Sequence, residues 1–135
     1  MDSEFSDIFL KGNFQNAFFK TLEHLSKTQK ELVYDFAKSV NNNKALCGKN
    51  KGQFYNGNHL FHYHIGYKSY NDKNKKVCDH AKCYDLLENT DGFSSQGVIY
   101  YVKEKNKIKI LAFGEEHCPF PKNDFFIKIF NTNKI

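Results

Sequence analysis

The sequence predicts an α+β fold in which an N-terminal helical hairpin packs on a twisted antiparallel β-sheet. Apolar residues recur at helical spacing in the first third of the chain, and strand-like runs follow at 60–67 and 97–113. The chain has 135 residues, which is typical of one domain, and it contains no internal repeat. We therefore expect a single domain over 1–135, with the helices first and the strands afterwards.

Two amphipathic segments predict the helical hairpin. The first helix is expected over about 13–25, where apolar residues recur at helical spacing: Phe14, Phe18, Leu22 and Leu25. A capping box of Thr28 and Glu31 predicts the start of a second helix, which ends at the asparagine run 41–43. The short link between the two segments favours antiparallel packing. Residues 3–10 fit either an edge strand or an early turn of the first helix.

Loops and strands are predicted for the rest of the chain. The polar, glycine-containing segment 44–58 is typical of a loop, and a strand follows at 60–67. A long polar insertion is expected over about 68–96. A β-hairpin is then predicted, with strands at 98–103 and 107–113 joined by a short polar turn.

Unbroken alternation along this hairpin predicts which side chains face the core. The inward set is expected to contain Val98, Tyr100, Val102, Ile108, Ile110 and Ala112. The outward set is expected to contain Tyr101, Lys103, Lys107 and Lys109. This parity puts Tyr101 on the face that carries the histidines of the preceding strand.

Two histidines on one strand are the strongest indication of chemistry. In the strand at 60–67, Phe61 and Tyr63 point one way, whereas His62 and His64 point the other way, towards solvent. Same-face neighbours lie roughly 6–7 Å apart, so both imidazoles can flank one reacting centre. An imidazole has an unperturbed pKa of about 6.5, which suits a general base or acid near neutral pH. The alternative is that the pair forms the polar outer face of an amphipathic strand.

The charge balance permits a polyanionic partner. Lys and Arg together number 20 against 15 Asp and Glu, which gives a formal net charge of +5. Lysines gathered on one strand face suit phosphate binding. The acidic N-terminus lacks the basic and apolar regions of a secretory signal, and no apolar stretch has transmembrane length. We therefore expect a cytoplasmic protein with reduced cysteines and no membrane partner.

A short segment with two cysteines and a histidine raises the alternative that the protein binds zinc. Cys78, His80 and Cys83 are close enough in sequence to supply three zinc ligands, with Cys47 or Cys118 as a fourth. Without a second cysteine pair, the spacing is not diagnostic. We expect no metal and no other cofactor.

Three short motifs and the hairpin pattern resemble a known family. The motifs are LCGKNK at 46–51, LFHYHIG at 60–66 and HCPF at 117–120, and the hairpin spans 97–113. Together with the predicted order of helices and strands, they resemble the RelE/ParE superfamily of small bacterial toxins from toxin–antitoxin modules. The resemblance covers roughly residues 14–120, and it implies a RelE-like fold.

The resemblance also implies an endoribonuclease that cleaves mRNA without a metal, often on the ribosome, and that a cognate antitoxin protein neutralises. Many members rely on arginines and lysines around the cleaved phosphate, whereas this chain offers histidines and lysines in place of the arginines. The expected catalytic residues are those that can move protons or position a base: His62, His64, His117 and Tyr101. The expected phosphate ligands are Lys49, Lys51 and Lys109.

Metal-free RNA cleavage accounts for these residue types. A base takes the 2′-hydroxyl proton, an acid protonates the 5′-oxygen leaving group, and cations stabilise charge on the phosphate oxygens. Histidine suits the first two tasks and lysine the third. Two other functions fit the same residues: a non-catalytic module that binds nucleic acid or protein, and a toxin that inhibits a topoisomerase.

Overall fold

The computed structural model describes residues 1–15, 17–44, 46, 48–55, 58–65 and 95–116. Five strands form one sheet: β1 (Asp2–Phe5), β2 (Asn50–Tyr55), β3 (Asn58–His64), β4 (Val98–Glu104) and β5 (Lys107–Gly114). Their order across the sheet is β1-β5-β4-β3-β2, with β1 parallel to β5 and the other neighbours antiparallel. The α+β prediction is confirmed, but the sheet is mixed because the N-terminal strand joins it in parallel.

One long helix accompanies the sheet in the described residues. A short helix, α1 (Asp7–Lys11), and a 3₁₀ turn (Leu22–His24) precede α2 (Lys27–Asn41). Helix α2 confirms the second predicted helix, although its capping box is formed by Ser26 and Gln29 and not by the predicted pair. The ambiguous N-terminal segment forms both a strand and a helical turn. Of the helices in the described part of the chain, none is long and apolar enough to cross a membrane.

The helix predicted over 13–25 is wrong, so the described residues contain no helical hairpin. The described residues of this segment form bends and a 3₁₀ turn, and Lys20 pairs with Phe113 of β5 in an isolated bridge. The fully buried Phe19 ring packs against Tyr100 of β4, with the ring centroids 5.3 Å apart. Phe and Asn are modest helix formers, and packing on the sheet overrides the helical spacing of the apolar residues.

The face of the sheet towards α2, called the helix face, holds the larger core. Val33, Phe36 and Val40 of α2 are buried there. The strands contribute six buried side chains: Tyr63, Ile99, Tyr101, Ile108, Ile110 and Phe113. Burying a side chain of this kind stabilises a fold by about 1.5–3 kcal/mol. The apolar stripe of α2 therefore determines which face of the sheet it covers.

The opposite face, called the histidine face because β3 presents its histidines there, is covered as well. Its apolar residues form a second core around Phe19: Leu60, Val98, Tyr100, Val102, Leu111 and Ala112. Three partly buried side chains pack against this cluster: Ile8, Phe14 and Phe18. The sheet thus has apolar cover on both faces, whereas many antiparallel sheets leave one face to solvent.

A β-bulge in the hairpin of β4 and β5 changes the predicted facing of its side chains. Tyr100 pairs with Ala112, but the next residue, Tyr101, pairs with Ile110, so Leu111 is the extra residue. A shift of one residue exchanges the faces beyond the bulge. The hairpin itself is confirmed. The prediction that the isoleucines of β5 share a face with Tyr100 is wrong, because the bulge moves them to the helix face.

Strand β2 replaces part of the loop predicted over 44–58. It pairs with β3, beginning with Asn50 opposite Tyr63. This pairing satisfies the polar main chain of a segment that lacks the apolar alternation of a typical strand. The polar insertion predicted over 68–96 lies outside the described residues except for its last two.

Candidate active site

His62 and His64 lie side by side on β3. Both are on the histidine face, because their partners on β4 are Tyr100 and Val98 of that face. The centroids of the two imidazole rings are 5.1 Å apart, and the ring planes meet at 63°. The His62 ring also lies 6.3 Å from the Tyr100 ring. The strand thus holds two imidazoles within reach of one small group, on the same side as the alternation predicts.

The prediction that these histidines face solvent is wrong. The exposed fraction is 5% for His62 and 1% for His64. The reason is the apolar cover of the histidine face, where Phe19 packs on Tyr100, the ring next to His62. Both imidazoles are therefore buried, His62 slightly less deeply than His64.

A backbone carbonyl orients the deeper imidazole. His64 Nδ1 lies 2.7 Å from the Ser95 carbonyl oxygen and 3.2 Å from the Ser95 amide nitrogen. The Ser95 amide donates only to an unprotonated Nδ1, whereas the contact with the carbonyl oxygen needs a proton on Nδ1, so the two contacts favour opposite tautomers. The shorter distance favours the tautomer in which Nδ1–H donates to the carbonyl and Nε2 carries the lone pair. Ser95 is itself held, because it is fully buried and its hydroxyl donates to the Gly97 carbonyl (2.8 Å).

Two lysines lie next to the histidines on the neighbouring chain segment. Lys51 of β2 pairs with His62 and is exposed. Lys49 precedes β2, and its carbonyl accepts a hydrogen bond from the His64 amide (2.9 Å). Directly opposed residues of an antiparallel pair place their Cβ atoms on one face about 5 Å apart. Lys51 therefore brings a positive charge to the margin of the histidine pair.

Lys109 does not lie beside the histidines, so the prediction that it binds the same phosphate is wrong. Its Nζ is 3.3 Å from Glu104 Oε2 and 3.6 Å from Glu4 Oε1. It faces Val102 on β4, which places it two strands away from His62, about 10 Å or more. Its ammonium group instead forms ion pairs with carboxylates on the neighbouring strands.

Tyr101 lies on the helix face. Its ring is fully buried and stacks on Phe61, with the centroids 5.1 Å apart and an interplanar angle of 10°. Its hydroxyl donates to Asn50 Oδ1 (2.7 Å). The prediction that Tyr101 shares the face of His62 is wrong, because strand residues alternate and Tyr100 is the residue opposite His62.

Hydrogen bonds on the helix face fasten the backbone that carries the lysines. The Gly48 amide donates to the Tyr63 hydroxyl (2.6 Å), and buried Asn50 accepts from Tyr101. A Cβ atom at position 48 would come within 1.7 Å of the His64 carbonyl oxygen. Only glycine lets the chain approach β3 this closely. The segment is therefore fixed from the side opposite the histidines.

Several predicted residues lie outside the described part of the chain: His117, Cys78, His80, Cys83, Cys47 and Cys118. Sequence reasoning also missed Ser95. Its contact with His64 uses the main chain, so its residue type carries no signal of that contact. Asn50 belongs to a motif that the sequence singles out, but its bond to Tyr101 depends on strand register.

The chain matches no protein-family model, no curated protein and no solved structure. Its chemistry is therefore argued from the histidine face alone. That face offers two imidazoles, one of them held by main-chain contacts, and one exposed ammonium group at their margin. Such a set can transfer protons and hold an anion.

Proposed function

We propose that this protein is a toxin-like, metal-independent endoribonuclease that cleaves mRNA by attack of the 2′-hydroxyl. The observation that carries the proposal is the pair of imidazoles on β3, 5.1 Å apart, with exposed Lys51 opposite His62. These groups match the base, acid and cation that metal-free cleavage needs. The formal charge of +5 favours a polyanionic substrate.

The proposed roles follow from exposure and position. His62 is the more exposed imidazole, so it touches the RNA and transfers one proton. Lys51 binds the phosphate at the margin of the site, and Lys49 adds a second cation. The other proton transfer falls either to Nε2 of His64 or to His117, the alternative that the sequence supplies.

The proposed reaction is balanced without a metal. The base removes the 2′-hydroxyl proton, the 2′-oxygen bonds to phosphorus, and the P–O5′ bond breaks as the acid protonates the 5′-oxygen. The products are a 2′,3′-cyclic phosphate and a 5′-hydroxyl. Lys51 stabilises the negative charge that develops on the nonbridging oxygens.

Incubation of RNA with the full chain in EDTA tests this proposal. We expect 2′,3′-cyclic phosphate ends and a bell-shaped dependence of the rate on pH, because one imidazole must be neutral and the other charged. His62→Gln is expected to lower the rate by about 10²–10⁴-fold. His24→Gln, in the 3₁₀ turn, is the control and keeps the wild-type rate. Wild-type cleavage by His62→Gln contradicts the proposal.

Two further variants identify the second proton-transfer group. If His64 fills that role, His64→Gln slows cleavage as much as His62→Gln and changes one limb of the pH profile. If His117 fills it, His117→Gln has that effect and His64→Gln does not. Thermal unfolding of each variant shows whether a lost rate reflects a lost fold.

The burial of both imidazoles favours a second candidate function, a non-catalytic binding module. In that case, the histidines are core residues, and Lys49 and Lys51 bind phosphates on an RNA. Retention of RNA without cutting, in the same EDTA experiment, supports the binding module. Cyclic phosphate ends that depend on His62 exclude it.

The proposed setting is the cytoplasm, with mRNA as substrate and a cognate antitoxin as protein partner. Expression of the chain in bacteria is then expected to arrest growth. Co-expression of a small neighbouring reading frame is expected to restore it. Normal growth on expression of soluble, folded protein contradicts the toxin proposal.

A further inference from the structure

We propose that the outer edge of β2 binds an extended segment of a partner protein as an additional strand, and that this segment alternates acidic with apolar side chains. The inference concerns protein binding, and it does not depend on RNA cleavage. It is carried by the open edge of the sheet at Gly52, by the charge of Lys51 and by the side chain that Gly52 lacks.

Strand β2 ends the sheet, because no strand in the described part of the chain pairs with its outer side. The His64 amide donates to the Lys49 carbonyl (2.9 Å), so these two residues form a hydrogen-bonded pair. Bonding to β3 alternates along β2, so the main chain of Lys51 is directed to β3 and that of Gly52 is directed outwards. Gly52 is exposed, so its N–H and C=O groups are open to a further strand.

The other edge of the sheet, at β1, is closed by helix α2. The amides of Asp2 and Ser6 donate to carbonyls of the β5 side, so the Ser3 amide is directed outwards. Asn41 of α2 accepts a hydrogen bond from this amide with its side-chain oxygen (2.7 Å). Covering an edge in this way is one means by which natural proteins prevent strand addition. The two edges therefore differ, and strand addition is expected at β2 alone.

The charge at this edge favours an acidic partner. Lys51 is exposed on the histidine face, and Lys49 precedes it by two residues. A residue directly beside Lys51 on an added strand would have its Cβ atom about 5 Å away, which suits an aspartate or glutamate. Two copies of β2 paired edge to edge would place the Lys51 side chains of both copies on one face, where like charges repel. An acidic segment of another protein is therefore favoured over a second copy of this chain.

The missing side chain of Gly52 favours an apolar residue beside it. Gly52 lies opposite Phe61 of β3, which stacks on Tyr101 and is only partly buried. Glycine within a strand often marks a close approach of another chain, and a large side chain on the neighbouring strand can lie over it. An apolar side chain beside Gly52 would reach towards the Phe61 ring. Because strand residues alternate, the partner segment is acidic on the histidine face and apolar on the helix face.

Titration of the full chain with a short peptide tests the inference. The peptide alternates glutamate with valine, has blocked ends and is about six residues long, the length of β2. We expect saturable binding in calorimetry with a Kd below about 1 mM, and slower hydrogen exchange of the Gly52 amide in the complex. The same peptide with lysine in place of glutamate is expected not to bind. Absence of saturable binding by the glutamate peptide overturns the inference.

Two N-methylated forms of the peptide distinguish strand addition from attraction between charges. An added strand directs alternate amides towards its neighbour. Methyl groups on either the valine amides or the glutamate amides are therefore expected to prevent binding, whereas methyl groups on the other set have little effect. Equal affinity of the two methylated peptides overturns the inference, and this comparison needs no variant of the protein.

Charge reversal at Lys51 tests the proposed chemistry of the partner. Lys51→Glu is expected to weaken binding of the glutamate peptide at least about tenfold, because attraction is replaced by repulsion. The matched control is Lys107→Glu, whose side chain is 42% exposed and paired with Glu4 at the other end of the sheet, and it is expected to keep the wild-type affinity. Wild-type affinity in folded Lys51→Glu overturns the inference. A wild-type dimer in sedimentation that Gly52→Pro dissociates would identify a second copy as the occupant and also overturn it.

Discussion

Removal of the Tyr101 hydroxyl, in Tyr101→Phe, separates a structural role of this residue from the catalytic role that the sequence predicts. The hydroxyl donates to Asn50 Oδ1 (2.7 Å), and Asn50 is 3% exposed. The phenyl ring keeps its stack on Phe61 and its packing near Phe36, whose centroid lies 6.3 Å away. The substitution therefore removes one hydrogen bond and leaves the shape of the core nearly unchanged.

The expected cost comes from the buried amide oxygen that loses its donor. Leaving such a group unsatisfied costs about 1–3 kcal/mol in the free energy of unfolding. For a domain of this size, that loss lowers Tm by about 3–10 °C. The rate of RNA cleavage per folded molecule is expected to stay unchanged, because Tyr101 lies on the face opposite the histidines.

Urea unfolding followed by circular dichroism measures the stability, and cleavage is assayed at a temperature where both proteins are folded. Tyr34→Phe is the matched control, because the Tyr34 side chain is 48% exposed. This control is expected to change the stability by less than about 0.5 kcal/mol. Wild-type stability in Tyr101→Phe, or a folded variant that no longer cleaves RNA, would refute the reasoning.

Three further predictions follow from other contacts. Gln29→Ala is expected to lower the free energy of unfolding in urea by about 1–2 kcal/mol, because Gln29 accepts from the Ser26 amide and donates to Glu115. The control Glu31→Ala, at an exposed position, is expected to have little effect. Equal losses in the two variants contradict the observed capping box. Gly48→Ala is expected to lower Tm strongly, because its Cβ would meet the His64 carbonyl oxygen at 1.7 Å. Gly52→Ala, at an exposed position, serves as the control. A wild-type Tm in Gly48→Ala contradicts the close approach of the two chain segments. Lys51→Gln is expected to reduce the slope of log RNA affinity against log salt concentration by about 1. The control Lys107→Gln is expected to leave that slope unchanged, because Lys107 is paired with Glu4. A wild-type slope in Lys51→Gln means that Lys51 does not contact the RNA phosphates.

Local patterns account for the parts of the fold that sequence reasoning predicts correctly. Helix α2 follows from a continuous apolar stripe, and the hairpin of β4 and β5 follows from two β-branched runs around a short turn. The segment 13–25 shows where the same reasoning fails. Its helical spacing is real, but the sheet offers Phe19 a fully buried position in a chain that is not helical there.

The candidate site also has some features that the sequence determines and others that only the tertiary structure decides. That His62 and His64 share one face is determined by the sequence alone, because side chains alternate along any strand. The bulge at Leu111, the pairing of Lys109 with carboxylates and the depth of the imidazoles are decided only by the tertiary structure. The physical reason is that alternation is a property of one strand, whereas burial, register and charge pairing depend on which other segments of the chain pack against it.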